Sequence, residues 1–379
     1  MKKTCKWLLL AVLTLCLTLA VGVALAENEG VDDWNAATPG ATFKLDKDVT
    51  LTGSQTLKIS APITIDLNGY KLTIKSTDNG IKSDVTFKNG TIEFATALGS
   101  FTGIFNVGTW AGQPVSAAKL TLENVEVIGD SYCSGYAAFC IGQNGEVEIK
   151  KSTIDLKKEL DRKNGGVFKA DGGATNAKLS IIDSNVTLDD AVRGILGCNV
   201  TIKNSIFTTR NMSNNVFNSN AGQEMKMTID NSEVTLESGI TESAGLKMGG
   251  DSYIRLVNGS KLDVGPHAEG AFFARDNFNG KIELQGKGNT LAVDVPFDVM
   301  KKYVVYSEDN YEFTENTEKA FTISPKKEEK PVVAPTAAPA ASVPQTGDNS
   351  QLGLWFALLL LSGLAIAVAM KKQPKGSNK

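Results

Sequence analysis

The sequence predicts an all-β protein: a right-handed parallel β-helix of about 8–9 coils, with a signal peptide, a Pro/Ala-rich stalk and a C-terminal transmembrane helix attached. Three observations predict it. First, a short pattern recurs between residues 63 and 293, in which two alternating apolar positions are followed by Asn or Asp, a small residue, and two more apolar positions. It reads Val85-Thr86-Phe87-Lys88-Asn89-Gly90-Thr91-Ile92-Glu93-Phe94, then Leu120-Thr121-Leu122-Glu123-Asn124-Val125-Glu126-Val127, and returns at Val147–Leu156, Leu179–Leu188, Val200–Thr209, Met227–Leu236 and Ile254–Val264. Second, counted from one Asn-type position to the next (68, 89, 124, 151, 183, 204, 231, 258), the steps are 21, 35, 27, 32, 21, 27 and 27 residues. Periods of that size mean stacked units, and strict alternation within each visit means strand rather than helix. Third, a further apolar stretch separates most visits, as in Gly103-Ile104-Phe105, Ala138-Phe139-Cys140-Ile141, Gly166-Val167-Phe168 and Gly194-Ile195-Leu196. Each turn of the repeat thus offers about three short strands. One coil cannot bury its own apolar face but a stack of coils can, with like strands parallel and the crossovers right-handed. Asn suits the corner between two strands because it tolerates left-handed backbone.

The segments follow in order. Residues 1–26 have a basic start (Lys2, Lys3, Lys6), an apolar run from Trp7 to about Val23 and a small-x-small exit at Ala24-Leu25-Ala26, the layout of a secretory signal peptide. Residues 27–48, with Trp34 and its acidic neighbours, are expected to cap the helix, residues 49–296 to form its coils, and residues 297–325 to close the far end, because open ends expose unpaired strand edges. Stacked at about 4.8 Å, the coils would make a rod on the order of 40 Å long. Residues 326–342 turn to Lys/Glu and then Pro/Ala, with Pro331, Pro335 and Pro339 four apart. That composition gives a semi-rigid stalk of roughly 18 residues, reaching about 56 Å if fully extended. Residues 343–379 hold Val343-Pro344-Gln345-Thr346-Gly347, an uncharged run of 19 residues from Leu352 to Met370, and a tail with Lys371, Lys372, Lys375 and Lys379. As a helix that run would span roughly 28 Å, enough for a bilayer, and the lysines would stay on the cytoplasmic side.

The pentapeptide at 343–347 resembles the Leu-Pro-x-Thr-Gly sorting motif of sortase substrates, with Val343 in place of the usual Leu, so the class of sortase stays open. The resemblance implies that a sortase attacks the carbonyl of Thr346, expels Gly347 with the tail, and joins the chain to a peptidoglycan amine of a Gram-positive-type wall. Pro344 fixes its own φ and holds Val343 extended, which suits a substrate cleft. Thr346 is then a substrate residue, and membrane contact lasts only until processing.

Composition narrows the partners. Three of the 39 basic residues lie in the signal, and four lysines with Asp348 lie beyond Thr346, which leaves 32 basic against 41 acidic residues, a net charge of −9. So acidic a chain is a poor binder of nucleic acid or anionic membrane. It keeps three cysteines, Cys133, Cys140 and Cys198, too few for a disulfide-stapled fold, and whether Cys133 pairs with Cys140 stays open.

The coil Ile63-Thr64-Ile65-Asp66-Leu67-Asn68-Gly69-Tyr70-Lys71-Leu72 resembles the first rung of the pectate-lyase-like β-helices of bacterial surface proteins, a resemblance that covers roughly residues 40–295. Polysaccharide lyases and hydrolases occur in that family, so catalysis has to be weighed. Asp189-Asp190 with Arg193 resembles the aspartate pair of polygalacturonases, but the Gly-His-Gly and Arg-Ile-Lys elements of those enzymes are missing, and the single histidine, His267, stands in Gly265-Pro266-His267-Ala268. It is expected on a surface loop. No calcium-binding carboxylate cluster stands out, and neither metal nor cofactor is expected. The acidic residues fit a structural pattern better. Six residues after the Asn-type position the chain reads Asp130, Lys157, Asp189, Arg210, Glu237, and just before it Lys88, Glu123, Lys150, Ile182, Lys203, Asp230. Signs alternate from coil to coil apart from the one Ile, as expected of charges that set register on a solvated sheet. Trp110, Tyr132 and Tyr136, on or beside Gly-rich loops, are candidates either for stacking on sugar faces or for packing loops onto the rod. The reading is a non-catalytic, wall-anchored surface protein, an adhesin or glycan- or protein-binding module, with sortase and peptidoglycan as partners and an unidentified ligand. The alternative is a surface polysaccharide lyase or glycoside hydrolase.

Overall fold

The computed structural model describes residues 30–327 apart from 53–54, 96–102, 109–116, 133–135, 160–164, 173, 175, 220–223, 238 and 240–242. Strand accounts for 51% of the described residues and helix for 3%, so sheets alone must close the core. The architecture is all-β and β-helix-like, built of parallel strands.

A typical coil contributes three strands, the first two running together in Val85–Phe94 and Lys119–Gly129. In one coil Lys178–Ile182 is the first, Asn185–Asp189 the second and Ile195–Leu196 the third. First and second strands from all coils share one 21-stranded sheet, and the third strands form a separate nine-stranded sheet from Lys58–Ile59 to Phe272–Ala274. Pairing is parallel throughout the stack: Lys178–Ile182 pairs with Glu146–Lys150 on one side and Asn199–Lys203 on the other. Alternation does the sorting. In Asn185–Asp189 only Val186 and Leu188 are buried, and they point inward. Third strands line the core with a continuous apolar column, since Phe105, Phe139, Phe168, Ile195, Phe217, Leu246 and Phe272 occupy equivalent positions on successive coils. Phe139 stacks on Phe168 at 5.1 Å and on Phe105 at 5.8 Å.

The corner between first and second strands has left-handed backbone at every Asn-type position. Asn68, Asn89, Asn124, Lys151, Asp183, Asn204, Asn231 and Asn258 all have φ between 46 and 59°. Asn and Asp tolerate that conformation at the least cost among residues with a side chain. Their amides also reach along the stack: Asn124 donates to Asn89 at 3.0 Å, Asn204 to Asp183 at 3.0 Å and Asn231 to Asn204 at 2.9 Å.

The small residue after the corner carries a second ladder. Ser152, Ser184, Ser205, Ser232 and Ser260 are buried. Each hydroxyl accepts the corner N–H of the preceding coil: Val125 to Ser152, Ser152 to Ser184, Ser184 to Ser205 and Ser205 to Ser232, all at 3.0 Å, then Ser232 to Ser260 at 3.2 Å. Asn289 ends the column by accepting from the Ser260 N–H at 2.9 Å. Each serine in turn donates to a carbonyl of its own coil, as Ser205 does to Lys203 at 2.6 Å. At residue 90 the small residue is glycine because a Cβ would lie 2.6 Å from the Tyr70 carbonyl.

Both ends are covered. The helix Val31–Asn35 buries Trp34, and Asn35 accepts the Lys58 N–H at the edge of the nine-stranded sheet. At the other end the antiparallel pair Tyr311–Thr317 and Ala320–Pro325 lies against Thr290–Val293. Parallel stacking starts earlier than the sequence pattern suggests, because Thr42–Lys44 pairs in register with Ile63–Asp66 and Val49–Leu51 with Lys71–Ile74. Ile63–Leu72 is therefore the second rung. The rung before it turns through Asp46-Lys47-Asp48, where no residue has positive φ, so it lacks the corner signature.

Ser205→Ala should leave the buried Ser184 N–H without an acceptor and cost about 1–3 kcal/mol in urea unfolding. Thr208→Ala, on the outward face of the same coil, should stay within about 0.5 kcal/mol. Equal losses would show that the serine column does not hold the coils together.

Candidate functional site

Residues 343–347 lie outside the described residues, as do the expected signal and apolar helix, residues 328–342 of the expected stalk, and Trp110. Tyr132 is fully buried, with its ring 6.5 Å from that of Phe94. It fills the core beneath its loop and offers no face to a sugar. His267 is also inside rather than on the surface, with Nδ1 2.9 Å from the Gly265 carbonyl, and burial lowers its pKa. The glycines around it make room, since a Cβ at Gly239 would meet the imidazole at 2.6 Å. Cys140 and Cys198 are free, buried thiols; burial pushes Cys198 up to about 12 and Cys140 higher still.

The charge columns hold the register that the sequence implies. Lys157 pairs with Asp189 and Asp189 with Arg210 across neighbouring strands. Lys157 reaches Asp130 at 3.2 Å and Arg210 reaches Glu237 at 3.0 Å, while Asp189 accepts from the Asn211 amide at 2.9 Å. In the second column Glu123 meets Lys150 at 3.1 Å, Lys203 meets Asp230 at 3.8 Å and Lys88 meets Asp66 at 3.7 Å. Asp190 is itself a left-handed corner residue, φ 51°. The Asp189-Asp190 pair is thus occupied by a ladder and a turn. Among the described residues no three His, Cys, Asp or Glu side chains converge as metal ligands would.

Tyr136 leads to a different cluster, on the outer face of the nine-stranded sheet. The middle residues of the third strands Phe139–Ile141 and Phe168–Ala170, Cys140 and Lys169, are side by side in register and both buried. Lys169 Nζ sits 3.1 Å above the centre of the half-buried Tyr136 ring, an arrangement in which the ring quadrupole attracts the ammonium. Burial, the largest cause, brings the Lys169 pKa down to about 8, with the Arg193 charge acting in the same direction. Arg193 comes from the next coil, donates Nη1 to the Gly165 carbonyl at 3.2 Å, and keeps a buried Nε with no partner among the described residues. Burial lowers the Arg193 pKa and raises that of the Tyr136 hydroxyl. Two carboxylates border the group: Glu159, fully buried, accepts the Val192 N–H at 2.8 Å, and Asp171 accepts the Gly172 N–H at 2.8 Å.

Three successive coils thus bring together an aromatic ring, two partly desolvated cations and two carboxylates. Such a group can hold an anionic or hydroxyl-rich ligand against the Tyr136 ring, and an amine near pKa 8 can exchange a proton close to neutrality. Sequence reasoning found Tyr136 and Arg193 but missed Lys169. Its signal was a lysine inside the apolar run Val167-Phe168-Lys169-Ala170. Comparison with protein-family models, with curated proteins and with solved structures finds no match.

Lys169 makes stability depend on pH in a defined direction. Its pKa is about 8 in the folded chain against an ordinary 10.5, so between those values the unfolded chain holds a proton that the folded chain has released. Stability therefore rises with pH across that window and the gain is lost as pH falls through about 8. Urea unfolding on either side of the window should show a rise in wild type that Lys169→Met removes. Parallel curves for the two proteins would show that Lys169 is not desolvated.

Proposed function

We propose that this chain is a non-catalytic surface protein, exported by its signal peptide and joined covalently to cell-wall peptidoglycan by a sortase acting at Thr346. On this reading a right-handed β-helix of about eight or nine coils stands on the Pro/Ala stalk and serves as an adhesin or as a glycan- or protein-binding module. The carrying observation for the non-catalytic part is the position of Asp189, in register between Lys157 and Arg210, with Asp190 spent on a corner. For attachment the support is the order motif, apolar run, lysine tail at 343–379. The Tyr136–Lys169–Arg193 cluster is the binding site this reading favours.

A surface polysaccharide lyase or glycoside hydrolase is the second reading, and one observation favours it: Lys169, with its pKa near 8 beside Arg193, is the type of group that removes a proton next to a carboxylate. Unsaturated or reducing ends released from a uronic-acid polymer, and abolished by Lys169→Met, would replace the non-catalytic reading.

Replacing Thr346 and Gly347 with alanine should leave the protein in the membrane fraction and clear it from the wall. Wall-linked protein at the unaltered level would sink the attachment proposal.

A further inference from the structure

One column on the outer face of the first strands does not alternate in sign beyond its first pair. In register it runs Lys119, Glu146, Lys178, Asn199, Lys226, Tyr253, Lys281. Lys119 and Glu146 form an ion pair at 3.1 Å, in keeping with a register ladder. From Lys178 onward no acid stands in the column, and lysine recurs on every second coil with Asn199 and Tyr253 between. Lys178 makes no ion pair among the described residues. Lys226 meets Glu224 at 3.3 Å, an exposed pair that water and a competing anion can open at little cost. Lys281 donates to the Lys302 carbonyl at 2.7 Å.

Beside the lysines runs a rail of hydroxyls, Ser180, Thr201 and Thr228, on successive coils. It ends at Arg255, which lies 4.9 Å over the Tyr253 ring and pairs with Glu283 at 3.0 Å. Lys178, Ser180, Asn199, Thr201, Lys226 and Tyr253 line an open groove of about 280 Å³. Register has no use for this pattern. Neighbouring strands lie about 4.8 Å apart, so like charges two coils apart are roughly 9.6 Å from each other, where they neither pair nor set alignment. The same distance matches one disaccharide of an extended β-linked chain. Successive lysines would then meet successive anionic groups while the hydroxyl rail meets sugar hydroxyls and the Tyr253 ring a sugar face.

We infer that this groove binds an acidic polysaccharide lengthwise, one that carries a single anionic group per disaccharide. The inference rests on the reading of the chain as a surface-displayed binding protein, and it adds a ligand class and a second site. The test measures binding of the full-length chain in detergent to three polymers: hyaluronan, with one carboxylate per disaccharide; polygalacturonate, with one per sugar; and uncharged hydroxyethyl cellulose. Hyaluronan should bind about tenfold more tightly than the other two, weaken as salt rises, and lose about tenfold in the Lys178→Ala/Lys226→Ala variant, with Lys157→Ala unchanged. Equal binding of hyaluronan and polygalacturonate, or no binding of either, overturns the inference. Binding that survives the lysine replacements but is lost in Tyr136→Ala overturns it too, by moving the ligand to the Tyr136 cluster, and leaves the surface-binding reading standing. Attachment is judged separately, by wall fractionation, so the two failures are distinguishable.

Discussion

At the corner between first and second strands, the coils from Asn68 to Asn258 place a residue with positive φ, and from Asn124 onward the backbone N–H that follows is met by a side chain of the next coil. A buried N–H left without an acceptor costs about 1–3 kcal/mol, and here the same group repeats on coil after coil. The serine column meets the demand, each hydroxyl accepting from the coil before it and donating within its own coil. The geometry of the corner therefore locks coil to coil as well as strand to strand. Register on either side of the corner follows, because a shift by one residue would turn every inward apolar side chain outward and strand the serines.

With register fixed, the inside and outside of the stack have separate duties. Inward positions fill with aliphatic and aromatic groups, of which Phe105, Phe139 and Phe168 make a continuous stack. Outward positions on the first and second strands form columns of neighbours. Opposite charges placed there, as at Glu123 and Lys150, favour the native alignment without adding much stability. Two places depart from this division. Lys169 is a cation on a buried outer face, its charge facing the Tyr136 ring, and the Lys178–Lys226–Lys281 column repeats one sign where alternation would serve alignment better. Departures of this kind cost stability or alignment, which makes both places candidate binding surfaces.

Much of this was legible in the sequence because the signals are local. Alternation marked the strands, and Asn89, Asn124 or Asn204 marked the corners, since few other side chains suit that backbone. The Lys157–Asp189–Arg210 column followed from counting positions between corners. What escaped depends on distant partners. Ser184 read only as a small residue because its acceptor, Ser205, lies 21 positions away. The rung at Thr42–Lys44 was hidden because its corner, Asp46-Lys47-Asp48, has no left-handed residue. Tyr132 and His267 looked like loop residues, and their burial comes from neighbouring coils that the local sequence does not name. The site was half legible for the same reason: Tyr136 stood out as an aromatic beside a Gly-rich loop and Arg193 as the arginine that follows Asp189-Asp190, whereas the burial of Lys169 depends on how neighbouring coils pack.

If the buried corner amides hold the stack together, native-state hydrogen exchange will register it. The backbone N–H groups of Ser152, Ser184, Ser205 and Ser232, each held by a serine hydroxyl of the next coil, should exchange as slowly as the inward-facing strand amides and open only with global unfolding. Exchange of these four at the rate of exposed turn amides would mean that the strand ladders and core packing hold the coils without the corners.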